Sequence, residues 1–376
     1  MFDVIVCGAG PAGSVAATVL ARGGARVLMI ERARFPRDKL CGDTINPGTA
    51  AILRRLGVFA PVESAATRVD GMILTGEHGV SVRCAYEPDA HGYALLRRDL
   101  DQALAQAAVT AGARLEEATQ VRRPLVDQTG EGARVRGIVL AGRDGRDLRV
   151  PAAMVIAADG RRSRLAIPLG LTRHPRRPRR WAIGAYFENV ADVSSFGEMH
   201  VRRGHYVGIA RVPSGFVNVC AVVRRTTGLD EPTTVLLRHI RHDTRLRDRF
   251  QSAKLLAPPT VLGPLAVDAT SAGVPGLLLA GDAAGFIDPM TGDGLRFAVR
   301  GGELAAEVAL AAFGGRLESP HVRLSRLRQR EFRPKWRFNR SVRRVVDRPV
   351  TVELAGVGAL VAPWILRRAI SFAGDA

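Results

Sequence analysis

The sequence predicts an α/β protein of two lobes: a nucleotide-binding lobe on a largely parallel sheet, and an α+β second lobe on a mixed or antiparallel sheet, with C-terminal helices after them. Three observations predict it. Residues 2–31 read as strand, glycine-rich turn, helix, strand and acidic end. Residues 181–223 read as successive strands separated by turns. Far downstream, a short apolar strand at 277–280 stops at an acidic turn before a long helix. The chain has 376 residues, more than one domain usually holds, and its 47 % apolar content suffices for a sizeable core.

The N-terminal unit binds a dinucleotide if each part does its usual work. Residues 2–7 form a buried strand that runs into Gly8-Ala9-Gly10-Pro11-Ala12-Gly13. Gly8 permits the tight turn, Gly10 lets backbone approach a pyrophosphate, and Gly13 lets the helix pack close to the strand. The helix over 14–22 offers free N–H groups and the positive end of its dipole to phosphates. The second strand, 26–30, ends at Glu31 and Arg32, where the carboxylate can accept hydrogen bonds from ribose hydroxyls. The arrangement is Rossmann-like.

Further along, a polar loop at 32–43 leads to a helix over 49–56, stopped by Gly57. Alternating residues at 69–85 predict strands. A helix over 93–111 ends at Gly112, and a strand follows at 113–121. A hairpin at 135–140 and 147–151 surrounds the turn at 142–145, and a separate apolar strand at 153–158 ends at Asp159-Gly160. The proline-broken basic stretch 173–180 marks a lobe boundary. Strands at 181–187, 198–201, 206–212 and 216–223 precede a helix over 234–250 and another over 294–313. These readings divide the chain into a nucleotide-binding lobe (1–68, 93–172 and 266–315), a substrate lobe (69–92 and 173–265) and C-terminal helices (316–376).

The formal charge is +19, almost all of it arginine, since only Lys39, Lys254 and Lys335 are lysines. The arginines are scattered without interleaved aromatics, so a nucleic-acid partner is not expected. Cys7, Cys41, Cys84 and Cys220 have neither metal-ligand spacing nor a disulfide pattern, which suits a reducing cytoplasm and no metal. No apolar run reaches the length of a membrane span. The apolar stretch 354–366, followed by Arg367 and Arg368, reads as a buried C-terminal helix or as an interfacial anchor making peripheral membrane contact. Residues 323–344 read either as an amphipathic helix over the pocket or as a solvated face with core anchors.

The second strand end decides the cofactor. After Gly281-Asp282 comes Asp288-Pro289-Met290-Thr291-Gly292-Asp293-Gly294, with backbone amides left bare at the start of a helix. Such N–H groups suit a ring that becomes negatively charged on reduction, as a flavin does. Asp282 is placed to hydrogen-bond a polyol chain.

Together, Gly8-x-Gly10-x-x-Gly13 with Glu31, Asp159-Gly160, and Gly281-Asp282 through Gly294 resemble the three fingerprints of the flavoprotein superfamily of aromatic hydroxylases, flavin-dependent halogenases and geranylgeranyl reductases. The resemblance spans nearly the whole chain. It implies FAD, held at the pyrophosphate by Gly8, Gly10, Pro11, Ala12 and Gly13, and at the adenosine by Glu31, Arg32 and the backbone of Val121. It also implies Arg97 near the flavin-side phosphates, Asp159 and Gly160 between FAD and a nicotinamide donor, and Gly281 and Asp282 at the ribityl chain. Pro289, Gly292, Asp293 and Gly294 would face the isoalloxazine. Lys39-Leu40-Cys41-Gly42-Asp43 resembles the Lys-x-Cys-Gly segment of the geranylgeranyl reductase branch, which places Cys41 and Gly42 beside the flavin, with Cys41 as a candidate catalytic thiol or a small buried residue. The stretch 206–213 departs from that branch in lacking its tryptophan. The halogenase lysine and tryptophan pair have no counterpart: no lysine falls between Lys39 and Lys254.

What the resemblance implies is an FAD-dependent oxidoreductase reducing a carbon–carbon double bond of an apolar, lipid- or polyketide-like or carrier-bound substrate, with NAD(P)H as electron donor. The alternative is an NAD(P)H- and O₂-dependent monooxygenase. A regulatory protein with a vestigial nucleotide fold is the reading from another class.

Overall fold

The first sheet grows from strands that are apolar along their length, as expected where both faces are covered. Phe2–Cys7 lies at its centre, parallel to Val27–Ile30 on one side and Asp147–Ala157 on the other. Arg114–Glu116 and Leu277–Leu279 extend it, both parallel. The structure, a computed structural model, describes residues 2–374 except 78, 130–131, 143–145, 177–179, 225–228, 230, 316, 348–357 and 359–361. The middle of the 142–145 turn, part of the 173–180 stretch and much of 354–366 thus lie outside the described residues.

The helices are α1 (Pro11–Arg22), α2 (Pro47–Arg55), α3 (Ala60–Glu63), α4 (Arg97–Thr110), α5 (Pro232–His242), α6 (Gly294–Phe313), α7 (Pro320–Asp347) and α8 (Pro363–Gly374). Proline at the first position of α1 lacks an N–H that would be orphaned anyway and presets its φ. α1 and α6 cover one face of the parallel sheet, where Leu20, Met29, Ile156 and Leu304 share a core. They touch backbone to backbone: a Cβ on Gly302 would lie 2.2 Å from the Ala12 carbonyl oxygen. On the other face Ile5, Leu28, Val155 and Leu279 pack against Ile138 of Gly132–Ala141.

The second sheet runs Lys254–Leu255, Arg180–Glu188, Val217–Arg224, His205–Arg211, Phe196–Arg202, Gly71–Thr75, Ser81–Ala85. Its neighbours are antiparallel except Phe196–Arg202 with Gly71–Thr75, which are parallel, so the sheet is mixed. Strand side chains alternate between faces. Ile183, Phe187, Val207 and Val219 pack under α5, while Ala182, Val201, Tyr206 and Val222 form the opposite face.

Four elements differ from the sequence reading. The expected strand 113–121 is two strands, Arg114–Glu116 and Val121–Thr129, because Ala118 takes φ +52° and the chain turns back, its N–H donating to the Ala33 carbonyl. The 147–151 and 153–158 segments are one continuous strand, Asp147–Ala157, which leaves the parallel sheet at its outer end to pair with Gly132–Ala141. Tyr93 belongs to the short strand Gly92–Ala94, and α4 starts only at Arg97. α5 ends at His242 rather than near 250, because buried Asp243 turns extended and pairs with Arg202 at 2.8 Å.

Candidate functional site: a nucleotide cradle opening into an apolar cavity

The glycine turn has the geometry its spacing demands. Gly8 has φ +99°, and a Cβ on it would lie 2.4 Å from the Ala158 carbonyl oxygen. A Cβ on Gly13 would lie 1.8 Å from the Gly8 oxygen, so α1 packs on its own turn. Gly10 differs: the nearest group to a Cβ there is the Arg37 guanidinium at 3.6 Å. Gly8 and Gly13 serve chain packing; Gly10 leaves room beside a cation.

Glu31 is buried, and its carboxylate accepts from the N–H groups of Ala9 at 3.0 Å and Ala33 at 3.1 Å. Arg37 lies 3.6 Å from Glu31 and 3.0 Å from Asp101, and Arg97 holds Asp101 through two bonds of 2.9 Å. Two carboxylates and two guanidiniums thus alternate beside the turn. Burial alone would lower the Arg97 pKa; Asp101 and the Cys41 sulfur more than offset it and leave it raised. Arg32 is exposed, and Val121 is buried at the start of its strand. Asp159 accepts from the Arg164 N–H at 2.7 Å, and burial raises its pKa. Gly160, with φ +82°, has open space where a Cβ would stand.

At the other strand end Gly281 has φ +60° and Asp282 is half-buried. Asp288 caps the turn Pro289–Thr291 by accepting from the Met290 N–H at 3.1 Å. The same carboxylate accepts from the Tyr206 hydroxyl at 2.6 Å and from Arg180 at 3.1 Å, which ties this turn to the second sheet. Gly292 is left-handed at φ +70° with open space around it, and Gly294 opens α6. The Asp293 side chain takes a different direction from its neighbours' backbone: it is buried and pairs with Lys335 of α7 at 3.3 Å.

A cavity of about 540 Å³ connects these pieces. Pro11, Arg97, Arg161 and Asp282 line one end, with Cys41, Gly42, Pro289, Gly292 and Gly294 beside them. Its long wall is the free face of the second sheet, including Met199, Val201, Tyr206, Cys220 and Val222. Phe338 and Val342 of α7, with Ala369 and Ile370 of α8, close the far side. Of the sequence-derived residues, Gly8, Gly10, Ala12, Gly13, Glu31, Arg32, Val121, Asp159, Gly160, Gly281 and Asp293 are not part of this lining; the first group of them forms the cradle at the mouth of α1.

Three groups had no role assigned from the sequence, although Lys39 and Asp43 flank Cys41 in the segment quoted there. Lys39 lines the cavity, and burial followed by the Arg97 charge lowers its pKa, against the pull of Asp282. Its signal was its rarity, as one of three lysines among 55 basic residues. Asp43, buried with φ +54°, accepts from Tyr186 at 2.5 Å, Asn218 at 2.8 Å and the Arg97 N–H at 3.2 Å. Burial pushes its pKa up to about 6 despite those donors. Asn218 also donates to the Cys41 carbonyl at 3.0 Å, so the strand Val217–Arg224 positions the whole 41–43 turn. The third group is the Arg180–Asp288–Tyr206 clasp.

The residues present fit FAD. Arg37 Nε, Asp159 Oδ1, Arg161 Nε and Thr291 Oγ1 are buried without a hydrogen-bond partner in the protein, and buried polar atoms are seldom left so. They sit in the segments that the glycine turn, Asp159-Gly160 and the 281–294 stretch bring together. A long polar ligand along that line satisfies such atoms.

The family model for the FAD binding domain matches residues 1–314. Digeranylgeranylglycerophospholipid reductase 2 of Methanopyrus kandleri is 33 % identical, with 83 % of this chain and 77 % of that protein covered. Menaquinone reductase of Mycolicibacterium smegmatis is 31 % identical over 81 % of this chain and 76 % of its own. In fold, a geranylgeranyl bacteriochlorophyll reductase-like protein from Thermoplasma acidophilum superposes with a TM-score of 0.80 at 24 % identity, over 92 % of this chain and 87 % of that one. The myxobacterial chondrochloren halogenase superposes at 0.84 and 22 % identity, over 99 % and 95 %. A tight glycine turn at the start of α1, a second strand end that opens into α6 and this extent of similarity lead to one assignment: the chain belongs to the FAD-binding-domain family and is an FAD-dependent oxidoreductase.

Proposed function

We propose that this enzyme reduces a carbon–carbon double bond in an apolar, lipid-like substrate. The observation that carries the reading is the apolar cavity running from Cys41 and the Pro289–Gly294 turn along the free face of the second sheet to α7 and α8. Support comes also from the relatives named as reductases of an unsaturated lipid and of menaquinone. FAD, reduced by a nicotinamide nucleotide or a protein donor, supplies a hydride equivalent in such a site.

The chain's own residues supply the rest. Gly10 and the α1 N-terminus would hold the pyrophosphate, with Arg37 and Arg97 as the nearby cations, and Asp282 would hold the polyol. The Gly294 amide at the α6 N-terminus would face the ring, while the Gly292 N–H, expected to be bare, donates to the Pro289 carbonyl at 3.0 Å. Met199, Val201 and Val222 align the substrate and exclude water. One substrate carbon takes the hydride and its neighbour takes a proton from the Cys41 thiol, which is then reprotonated from solvent. Asp43 and Asn218 fix the turn that presents this thiol.

The test is anaerobic. Enzyme whose flavin has been reduced is mixed with prenylated quinones or unsaturated prenyl lipids, and flavin reoxidation and product mass are followed. Reoxidation with gain of two hydrogens is expected. Turnover only in air, with gain of one oxygen, sinks the reading and makes the enzyme a monooxygenase. Cys41→Ser is expected to keep its flavin and lose about a hundredfold or more in the reoxidation rate, the usual scale for a positioned proton donor.

A further inference from the structure

Helix α7 carries an unusual surface. Arg323, Arg326, Arg330, Arg333, Arg337, Arg340 and Arg344 follow one another at alternating spacings of three and four, and all seven are exposed. That spacing keeps them on one face of a helix, in a row about 30 Å long. None of the seven has an ion pair among the described residues. The helix's interior acid, Glu331, turns instead to Arg296 and Arg300 of α6, at 3.5 and 3.7 Å. Seven like charges in a row repel one another, a cost to the free protein that an anionic partner relieves.

The neighbouring helix shows which partner. α8 is fastened to α7 by Lys335, which donates to the carbonyls of Phe372 and of Ala373, and by the Phe338–Phe372 ring contact at 5.2 Å. Its inner residues Ala369, Ile370 and Ala373 wall the cavity, while Trp364 is 63 % and Ile365 55 % exposed, beside the exposed Arg367 and Arg368. One helix therefore separates an apolar cavity from an apolar patch on the outside. Aromatic and aliphatic residues flanked by arginine are the composition of an interfacial helix. The cavity under it is lined there by Phe338, Val342 and Ile370 with no cation, which suits a hydrocarbon chain and not the phosphorylated arm of a carrier protein. No described helix is long and apolar enough to cross a bilayer.

We propose that α7 and α8 dock the enzyme on the surface of a membrane containing anionic lipid. The arginine row supplies the attraction, Trp364 and Ile365 enter the headgroup region, and an apolar substrate passes beside α8 from bilayer to cavity. Only this last step rests on the function proposed above; the docking itself does not.

The experiment measures binding of the full-length holoenzyme to vesicles of phosphatidylcholine alone and of phosphatidylcholine with phosphatidylglycerol, by sedimentation, at low and high salt. Selective, salt-sensitive binding to the anionic vesicles is expected. The triple variant R333Q/R337Q/R340Q, shown to be folded by its flavin absorbance and melting temperature, is expected to bind about a hundredfold more weakly, from roughly a fivefold loss per arginine. Trp364→Ser is expected to weaken binding while keeping its salt sensitivity. Equal binding to both vesicle types, no effect of the triple variant, or binding only to nucleic acid or an acidic carrier protein overturns the proposal. Because no turnover is read, a failed reductase assay leaves this result standing, and the reverse.

Discussion

The two large sheets put their chemistry in different places. The parallel sheet is buried on both faces, and its functional groups sit where strands end: the Gly8 turn after Phe2–Cys7, Glu31 after Val27–Ile30, Asp159 after Asp147–Ala157, and Asp282 after Leu277–Leu279. The mixed sheet is buried on one face by α5 and presents the other to the cavity, so its functional groups lie along the strands. One sheet holds a ligand at its edge, the other is a wall. Substitutions at strand ends of the first should therefore act on the cofactor, and substitutions along strands of the second on the substrate or on the join between the two.

The severest break is Gly13→Ala. Its Cβ would stand 1.8 Å from a backbone oxygen that has no room to yield, so a loss above about 4 kcal/mol is expected. The readout is flavin-free, poorly soluble protein; a yellow protein with unchanged melting temperature contradicts the packing argument.

Next comes the join. Asp288→Ala removes the carboxylate shared by Tyr206 and Arg180, both buried, and should cost about 3–5 kcal/mol. Tyr206→Phe keeps the charge pair and should cost only about 1–2 kcal/mol. Denaturant unfolding of both variants tests the ratio, and equal losses would mean that the ion pair adds nothing.

The smallest effect is a slope. Asp43 has its pKa raised by burial to about 6, from 3.8 for an unperturbed group. The native state thus binds the proton more tightly than the unfolded chain. Its stabilising contribution is complete below about pH 4 and is lost as pH rises to about 6, by up to about 3 kcal/mol, with no further change above. Unfolding free energies of wild type and Asp43→Asn across that window should differ in slope, the variant's curve being flatter. Identical slopes would place the titration elsewhere.

The contrast between the sheets also explains what could be read in advance. Functions at strand ends are local in sequence: Gly8 to Gly13, and Gly281 to Gly294, each fit within one turn and its helix, and Glu31 follows from the strand that precedes it. The cluster around Asp43 is assembled from Tyr186 and Asn218, 143 and 175 residues away, and no spacing in the chain announces it. Arg37 could not be picked out of an arginine-rich loop before Glu31 and Asp101 were seen on either side of it. The face of the mixed sheet was equally hidden. Val217–Arg224 is apolar toward α5 and nearly as apolar toward the cavity, so alternation says little about which side is which. α7 was open in the other direction: its aromatics marked a buried side, Phe332 is fully buried, and Phe338 and Val342 roof the cavity.

The Asp288 clasp has a thermodynamic corollary. Its carboxylate caps the turn that the proposed function sets against the cofactor, and it also receives the hydroxyl of Tyr206 on the cavity wall. A single rigid group thus belongs to both binding events. Any free energy that substrate exerts on the cofactor through it is exerted, in equal amount, by cofactor on substrate. The ratio of substrate affinities for reduced and oxidised enzyme and the shift of the flavin midpoint potential on substrate binding are then two measurements of one quantity, and Tyr206→Phe should diminish both together.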